Sequence, residues 1–229
     1  MAAVATPVLL SWSGGKDAAW TLHVLRQRDD VDVVGLVTTI TDDDARVSMQ
    51  GIRVEVLHAQ AHAAGLPVIE ARIPQAADNA HYEAAFAEAL HTARTRWPGL
   101  RTIAFGDLFL DDIRTWRQAL CARLDWDALF PLFGRDTRAL AREMQREGLC
   151  AALCCVDITQ LDARFAGHVF DGLLLDALPP QVDSCGEHGE FHTCVSDGPM
   201  FSAPLSLVQG PAMLREGRFL HTDFRIADA

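Results

Sequence analysis

Residues 7–28 constrain this chain more than any other stretch, because they demand a strand, a tight turn and a helix in succession. The apolar run Pro7 to Leu10 reads as a buried strand. Ser13-Gly14-Gly15-Lys16-Asp17 breaks it, and a helical stretch follows from Ala18 to about Arg28. Two adjacent glycines let the backbone turn sharply and approach a ligand closely. The helix behind them aims its free N–H groups and positive dipole end at the same point. The combination predicts a pocket for an anion, phosphate above all, to which Lys16 adds a mobile cationic donor. Lys16 is also the only lysine among 20 Lys and Arg residues. Placed at random, it would fall in a given six-residue window about 3% of the time. Lysine is a compact point charge where arginine is a wide fork, and phosphate loops often use the former. The bland alternative is a strand-to-helix turn with an exposed lysine. Neither G-x-x-x-x-G-K-[ST] nor G-x-G-x-x-G is present.

Strand patterns at Val8–Trp12, Val31–Ile40, Leu66–Ile73 and Thr102–Gly106 alternate with helical ones at Asp17–Arg28, Gly51–Ala64, Asp78–Arg96 and Asp111–Leu124. Ala128–Phe133 supplies a fifth strand. Such alternation predicts a parallel sheet covered on both faces, with right-handed crossovers. The expected fold is therefore α/β, a Rossmann-like doubly wound sheet of five parallel strands. Ligands bind such sheets beyond the carboxyl ends of the strands. The glycine loop, Thr38 at the end of the second strand and Gly106-Asp107 at the end of the fourth would open onto that crevice. After Gly134 the pattern changes to a helix (Thr137–Glu147), an apolar strand (Leu149–Ile158), a loop-rich stretch with Pro179-Pro180, and short strands around Phe191–Val195, Ser202–Gln209 and Arg218–Ile226. We read residues 1–134 as one domain and 135–229 as a smaller α+β domain, with the active site in the cleft between them.

With 49% apolar residues the chain can bury a real core. A net charge of −11 disfavours non-specific binding to nucleic acid or anionic membranes. The apolar runs fall short of the roughly 18 residues a membrane helix needs, and Met1 to Leu10 lacks a basic leader region, so a cytoplasmic location is expected. Six cysteines in 229 residues do not suggest a disulfide framework. Cys150, Cys154 and Cys155 read as small core hydrophobes.

Ser13-Gly14-Gly15-Lys16-Asp17 resembles the pyrophosphatase (PP) loop, Ser-Gly-Gly-x-Asp-Ser, of the adenine nucleotide alpha hydrolase superfamily. The final serine is Ala18 here, and Ser11 and Ser13 are the hydroxyls nearby. Ser48-Met49-Gln50-Gly51-Ile52-Arg53, Phe105 to Arg114, Pro131 to Asp136 and Cys185-Gly186-Glu187-His188-Gly189-Glu190-Phe191-His192-Thr193 are similar to segments of its diphthine–ammonia ligase-like branch. The resemblance runs from about residue 7 to residue 204. It implies a HUP-type fold and cleavage of ATP between the alpha and beta phosphates, with AMP attached to an oxygen of the substrate. That branch is named for amidating a modified histidine on a translation elongation factor of archaea and eukaryotes. Composition rich in arginine and alanine leans toward a GC-rich bacterial genome, where the carboxylate would be a different one.

Each candidate residue has two readings. Asp17 either caps the helix or holds magnesium on the triphosphate. One of Asp111 and Asp112 is expected as a helix cap, whereas Asp107 follows a glycine at the strand's carboxyl edge, where a catalytic or metal-binding group would sit. Arg114 pairs with a phosphate or substrate carboxylate, or with Asp111 on the helix surface. Arg53 sits at a helix start, where dipole logic asks for an anionic partner. Period two would place His188, Glu190 and His192 on one strand face. Metal binding is one use of that face. Recognition of substrate or ammonia fits the motif better, with a glutamate holding ammonium or taking its proton.

The expected site therefore comprises catalytic Lys16, Asp107 and Glu190. Nucleotide contacts come from Ser11, Ser13, Gly14, Gly15, Lys16, Asp17, Ala18, Thr38, Arg53 and Gly106. Substrate contacts come from Arg114, Glu187, Gly189, Glu190, His192 and Thr193, and Asp17 is the metal ligand. The expected function is an ATP-dependent amide-forming ligase using ATP and Mg2+. Its partners would be a small-molecule or protein carboxylate plus ammonia, not nucleic acid or membrane, with a homodimer open. The rival class is an ATP- or AMP-binding sensor without turnover.

Overall fold

Five parallel strands form as the alternation predicts. In the computed structural model, which describes residues 5–42 and 45–227, they are β1 (Thr6–Ser11), β2 (Val31–Thr41), β4 (Val68–Ile73), β5 (Thr102–Ala104) and β6 (Asp127–Leu129). Residues 1–4 of the N-terminal stretch read above lie outside the described residues. The parallel strands run in the order β4-β2-β1-β5-β6. The chain thus builds outward from β1 through β2 to β4, then returns to lay β5 on the other side of β1. That reversal puts the switch point between β1 and β5, directly beyond Ser11 and Ala104. A sixth strand that the sequence reading missed, β3 (Arg46–Val47), pairs antiparallel with the carboxyl end of β2. Two residues are too few to leave a periodic signal.

The crossovers are α1 (Lys16–Arg26), α2 (Val54–Ala63), α3 (Asn79–Arg96) and α4 (Asp111–Arg123). Local chemistry sets their starts. The Asp78 carboxylate accepts from the His81 N–H and caps α3. Neither aspartate of 111–112 caps α4: its N-cap is Leu110, and Asp112 Oδ1 instead accepts from the next N–H, that of Ile113, at 2.9 Å.

A second sheet, entirely antiparallel, has the order β8-β7-β10-β9, from β7 (Cys150–Asp157), β8 (Phe191–Asp197), β9 (Leu207–Arg215) and β10 (Phe219–Ile226). Two helices join it, α5 (Thr137–Arg146), capped by Asp136, and α6 (Gly172–Ala177). The strand expected at Ser202–Gln209 begins at Leu207 and runs to Arg215, through Gly210-Pro211. The register with β10 shifts at Gly210-Pro211, and an edge strand with such a bulge tolerates proline.

Alternation along β1 divides its side chains between two cores. Leu9 faces Phe86, Leu90 and Phe105 beneath α3 and α4. Val8 and Leu10 face α1, and that core continues through Trp20 and Leu22 to Leu153, Val156 and Val195 of the second sheet. Helix α1 is therefore buried between the two sheets, and its N-terminus lies where they meet. All six cysteines are free thiols. Cys154 and Cys155 are core residues as read, whereas Cys150, at the start of β7, is exposed.

Candidate functional site

Gly14 and Gly15 earn their places by close approach. Gly14 has φ +78°, and a Cβ on it would meet Gln60 Oε1 at 2.6 Å. Its carbonyl accepts from Val195 N and from Gln60 Nε2, at 3.1 and 3.0 Å. The loop is thereby pinned to the second sheet and to α2 at once. Gly15 is the N-cap of α1 and supplies no side chain to cap it. The Lys16 N–H donates to Thr193 Oγ1 at 3.0 Å; beyond that bond the first turn faces an open cleft. Gly14→Ala is expected to cost about 1–3 kcal/mol, since αL backbone and overpacking add. Chemical denaturation would measure it as a lower midpoint with an unchanged slope.

The cleft encloses about 530 Å³ and is lined from both sheets, within the range of small-ligand sites. Ser11, Ser13 and Gly15 to Ala18 form one wall, Gly106 and Asp107 the next, and Cys185 to Glu187 with Phe191 to Thr193 close it from the second sheet. Gly106 is needed because a Cβ there would lie 3.0 Å from the Asp17 backbone. A larger open groove of about 960 Å³ runs along α2, β4 and α3 past His58 and His62. It holds none of the loop residues, so it is remote from this chemistry.

Lys16 is not the mobile donor its position suggested. It is 2% exposed. Its Nζ donates to Asp17 Oδ2 at 2.8 Å and to the Cys185 carbonyl, and it lies 5.5 and 5.7 Å from the Phe191 and Phe170 ring centres. Burial alone would lower its pKa, but the charge and hydrogen bond of Asp17 together with the nearby Cys185 and Glu187 raise it, which favours the ammonium. Asp17 lies in the first turn rather than at the cap, and its Oδ1 is buried without a hydrogen-bond partner.

Glu187 is held at the junction. Its Oε1 accepts from Leu108 N at 2.8 Å. Burial, reinforced by Asp17 and Asp107, pushes its carboxyl up to about 7. His192 also lines the cleft, and burial pushes its pKa down to about 4, so the imidazole is neutral. Asp107 faces the cleft beside Arg117 of α4, Nε to Oδ2 2.8 Å.

Several expected contacts go elsewhere. The Thr38 hydroxyl is buried and donates to the Trp12 carbonyl at 2.8 Å, and Thr39 lines the cleft in its place. Arg53 finds its anionic partner within the protein: Asp223 of β10, gripped by Arg53 and Arg46 together. Arg114 meets neither Asp111 nor the cleft; its guanidinium stacks 4.3 Å from the Phe133 ring centre. Glu190 is 2% exposed and turned away, its Oε1 accepting from Asp183 N at 2.9 Å. Gly189, with φ +82°, serves the turn. His188, Glu190 and His192 do not share a strand face, because the chain turns at Gly186 and Gly189 and β8 starts only at Phe191. Among the described residues no group of three His, Cys, Asp or Glu side chains can hold a metal. The sequence reading missed Arg117, Trp116 and Tyr82. The signal was the i, i+3, i+4 set Ile113, Trp116 and Arg117, the face of α4 that reaches the cleft.

Fold and cleft together define a Rossmann-like α/β protein with an uncapped glycine loop at its switch point, roofed by a second sheet. Family models narrow this further: the diphthamide synthase N-terminal domain matches residues 6–126 and the diphthamide synthase C-terminal domain matches 136–220. The chain belongs to the diphthamide synthase family, the diphthine–ammonia ligase branch of the PP-loop superfamily. It is similar to the diphthine–ammonia ligase of Schizosaccharomyces pombe, 26% identical over 211 residues, covering 85% of this chain and 35% of that protein. The diphthine–ammonia ligase of Saccharomyces cerevisiae is 24% identical over 228 residues, with 82% and 32% covered. The chain thus spans about a third of the length of the curated relatives it matches. Among the described residues no helix is long and apolar enough to cross a membrane.

Proposed function

We propose that this chain is an ATP-dependent amide-forming ligase that adenylates a carboxylate and passes the acyl group to ammonia or an amine. A substrate carboxylate oxygen attacks the alpha phosphorus, and the bond to the bridging oxygen breaks to release pyrophosphate. Ammonia then attacks the acyl carbon, loses a proton, and AMP departs. Residues 1–134 would hold ATP, and residues 135–229 would present the acyl and amine partners.

One observation carries this reading. The uncapped start of α1, the charged Lys16, two carboxylate oxygens without hydrogen bonds and the high-pKa Glu187 converge on one cleft. Asp17 Oδ1 is buried without a hydrogen-bond partner, and Asp107 Oδ2 has only its ion pair with Arg117, which suits a magnesium ion shared between one or two carboxylates and phosphates. Bound there, it would neutralise phosphate charge. Lys16 and the loop N–H groups would stabilise charge growing on the phosphates, the largest contribution in such transfers. Glu187, rather than the inward-turned Glu190, would take the proton from the amine.

The test is nucleotide product analysis with magnesium, ATP labelled on the alpha phosphate, ammonium and a small-molecule extract. AMP and pyrophosphate are expected, and ADP with phosphate would sink the adenylation mechanism. A holding module without turnover is the second reading, favoured by the internal bonds of Lys16. It predicts ATP binding with neither product pair.

A further inference from the structure

Four carboxylates (Asp17, Asp78, Asp107, Glu187) and only two cationic side chains, Lys16 and Arg117, line the cleft among the described residues. Lys16 has two of its three donors on protein acceptors and one to spare. Arg117 has only one ion pair. Its Nε lies 2.8 Å from Asp107 Oδ2, yet neither atom makes a hydrogen bond. Attraction holds the pair close without alignment. The guanidinium also lies 4.5 Å from the Phe105 ring centre. Stacking of that kind fixes the fork by its face and leaves its N–H edge for acceptors. A triphosphate entering so acidic a cleft needs a cation that can turn to it, and a planar fork matches two phosphate oxygens at once.

We propose that Arg117 is a phosphate-binding residue of this cleft, with Asp107 as the counter-ion it gives up when a nucleotide or pyrophosphate enters. The inference rests on the reading of the cleft as a nucleotide site, and it adds a residue that the glycine loop does not contain. Asp107 then has two states: paired with Arg117, as here, and free of it once the phosphates take the fork.

Titration calorimetry tests this with three probes, ATP, inorganic pyrophosphate and adenosine, in buffer with EDTA so that Asp107 acts only through its charge. Arg117→Gln is expected to weaken ATP and pyrophosphate about ten- to a hundredfold, as loss of a charged hydrogen bond does, and to leave adenosine unchanged. Arg117→Lys should restore only part of the loss. Asp107→Asn should tighten ATP severalfold. Arg117→Gln that binds ATP as the wild type does, or that loses adenosine equally, overturns the assignment. Asp107→Asn that weakens ATP overturns the counter-ion exchange. Wild-type protein that binds neither ATP nor pyrophosphate overturns the nucleotide reading itself, and this inference with it.

Discussion

Lys16→Met is expected to lower AMP formation about 10²–10³-fold, the usual loss when one donor to a developing oxyanion is removed. Methionine keeps much of the stem's volume, so the packing against Phe170 and Phe191 survives, while the charge is lost. Asp17 Oδ2 and the Cys185 carbonyl are left without their partner. Asp17 is 27% exposed and can draw in water, so the stability cost should be about 1–3 kcal/mol. Lys16→Arg should not rescue turnover, because a wide fork does not fit a slot that leaves the lysine 2% exposed. Rate and thermal midpoint measured on both variants separate the two roles. A variant that keeps its rate while losing stability would make Lys16 a structural tie between the loop and the 183–190 segment. A variant that loses rate with a modest stability change makes it a ligand of the phosphates.

That the only lysine sits at the cleft was legible because local chemistry decides it. A glycine pair between an apolar strand and a helix leaves few conformations, and the alternation of patterns fixed which end of the sheet the loop occupies. What sequence could not resolve was phase. Arg114 and Arg117 stand three residues apart on α4, and which of them meets the cleft depends on the rotation of that helix over β5. Hydrophobic spacing does not settle it, because Arg114 itself packs on Phe133 and Arg117 on Phe105. Glu187 and Glu190 pose the same problem in a turn. Only the left-handed Gly186 and Gly189 decide that the first faces the cleft and the second supports Asp183. Arg53 was read as wanting an anion and placed on the nucleotide, but its partner in the fold is Asp223, 170 residues away in β10, beyond the reach of local pattern. The strand expected to stop at Gln209 runs on to Arg215 for a related reason, since an edge strand is defined by a missing neighbour and not by its own residues.

Glu187→Gln should separate stability from activity more sharply than any other substitution. Burial raises the Glu187 carboxyl from its ordinary 4.5 to about 7, so the folded chain holds this proton more tightly than the unfolded chain. The sign follows. Below pH 4.5 both states are protonated and the group is neutral to stability. Between about 4.5 and 7 only the unfolded state ionises, so stability falls as pH rises. Above 7 the loss is complete. A shift of this size corresponds to at most about 3 kcal/mol, and about 1–2 kcal/mol after allowance for its partial solvent exposure. Glutamine keeps the acceptor for Leu108 N and never ionises. The variant should therefore match wild type at pH 4 and be about 1–2 kcal/mol more stable at pH 8, read from denaturation midpoints at the two pH values. In turnover the order reverses. An ionised Glu187 is required to take a proton from the amine, so wild-type amidation should rise through pH 7. The glutamine variant should lose about 10²–10⁴-fold and show no such rise. A variant that gains stability and keeps its rate would leave Glu187 as a strained support of the 108–109 turn. Gain in one with loss in the other is the trade expected of a carboxylate kept in an unfavourable setting for its chemistry.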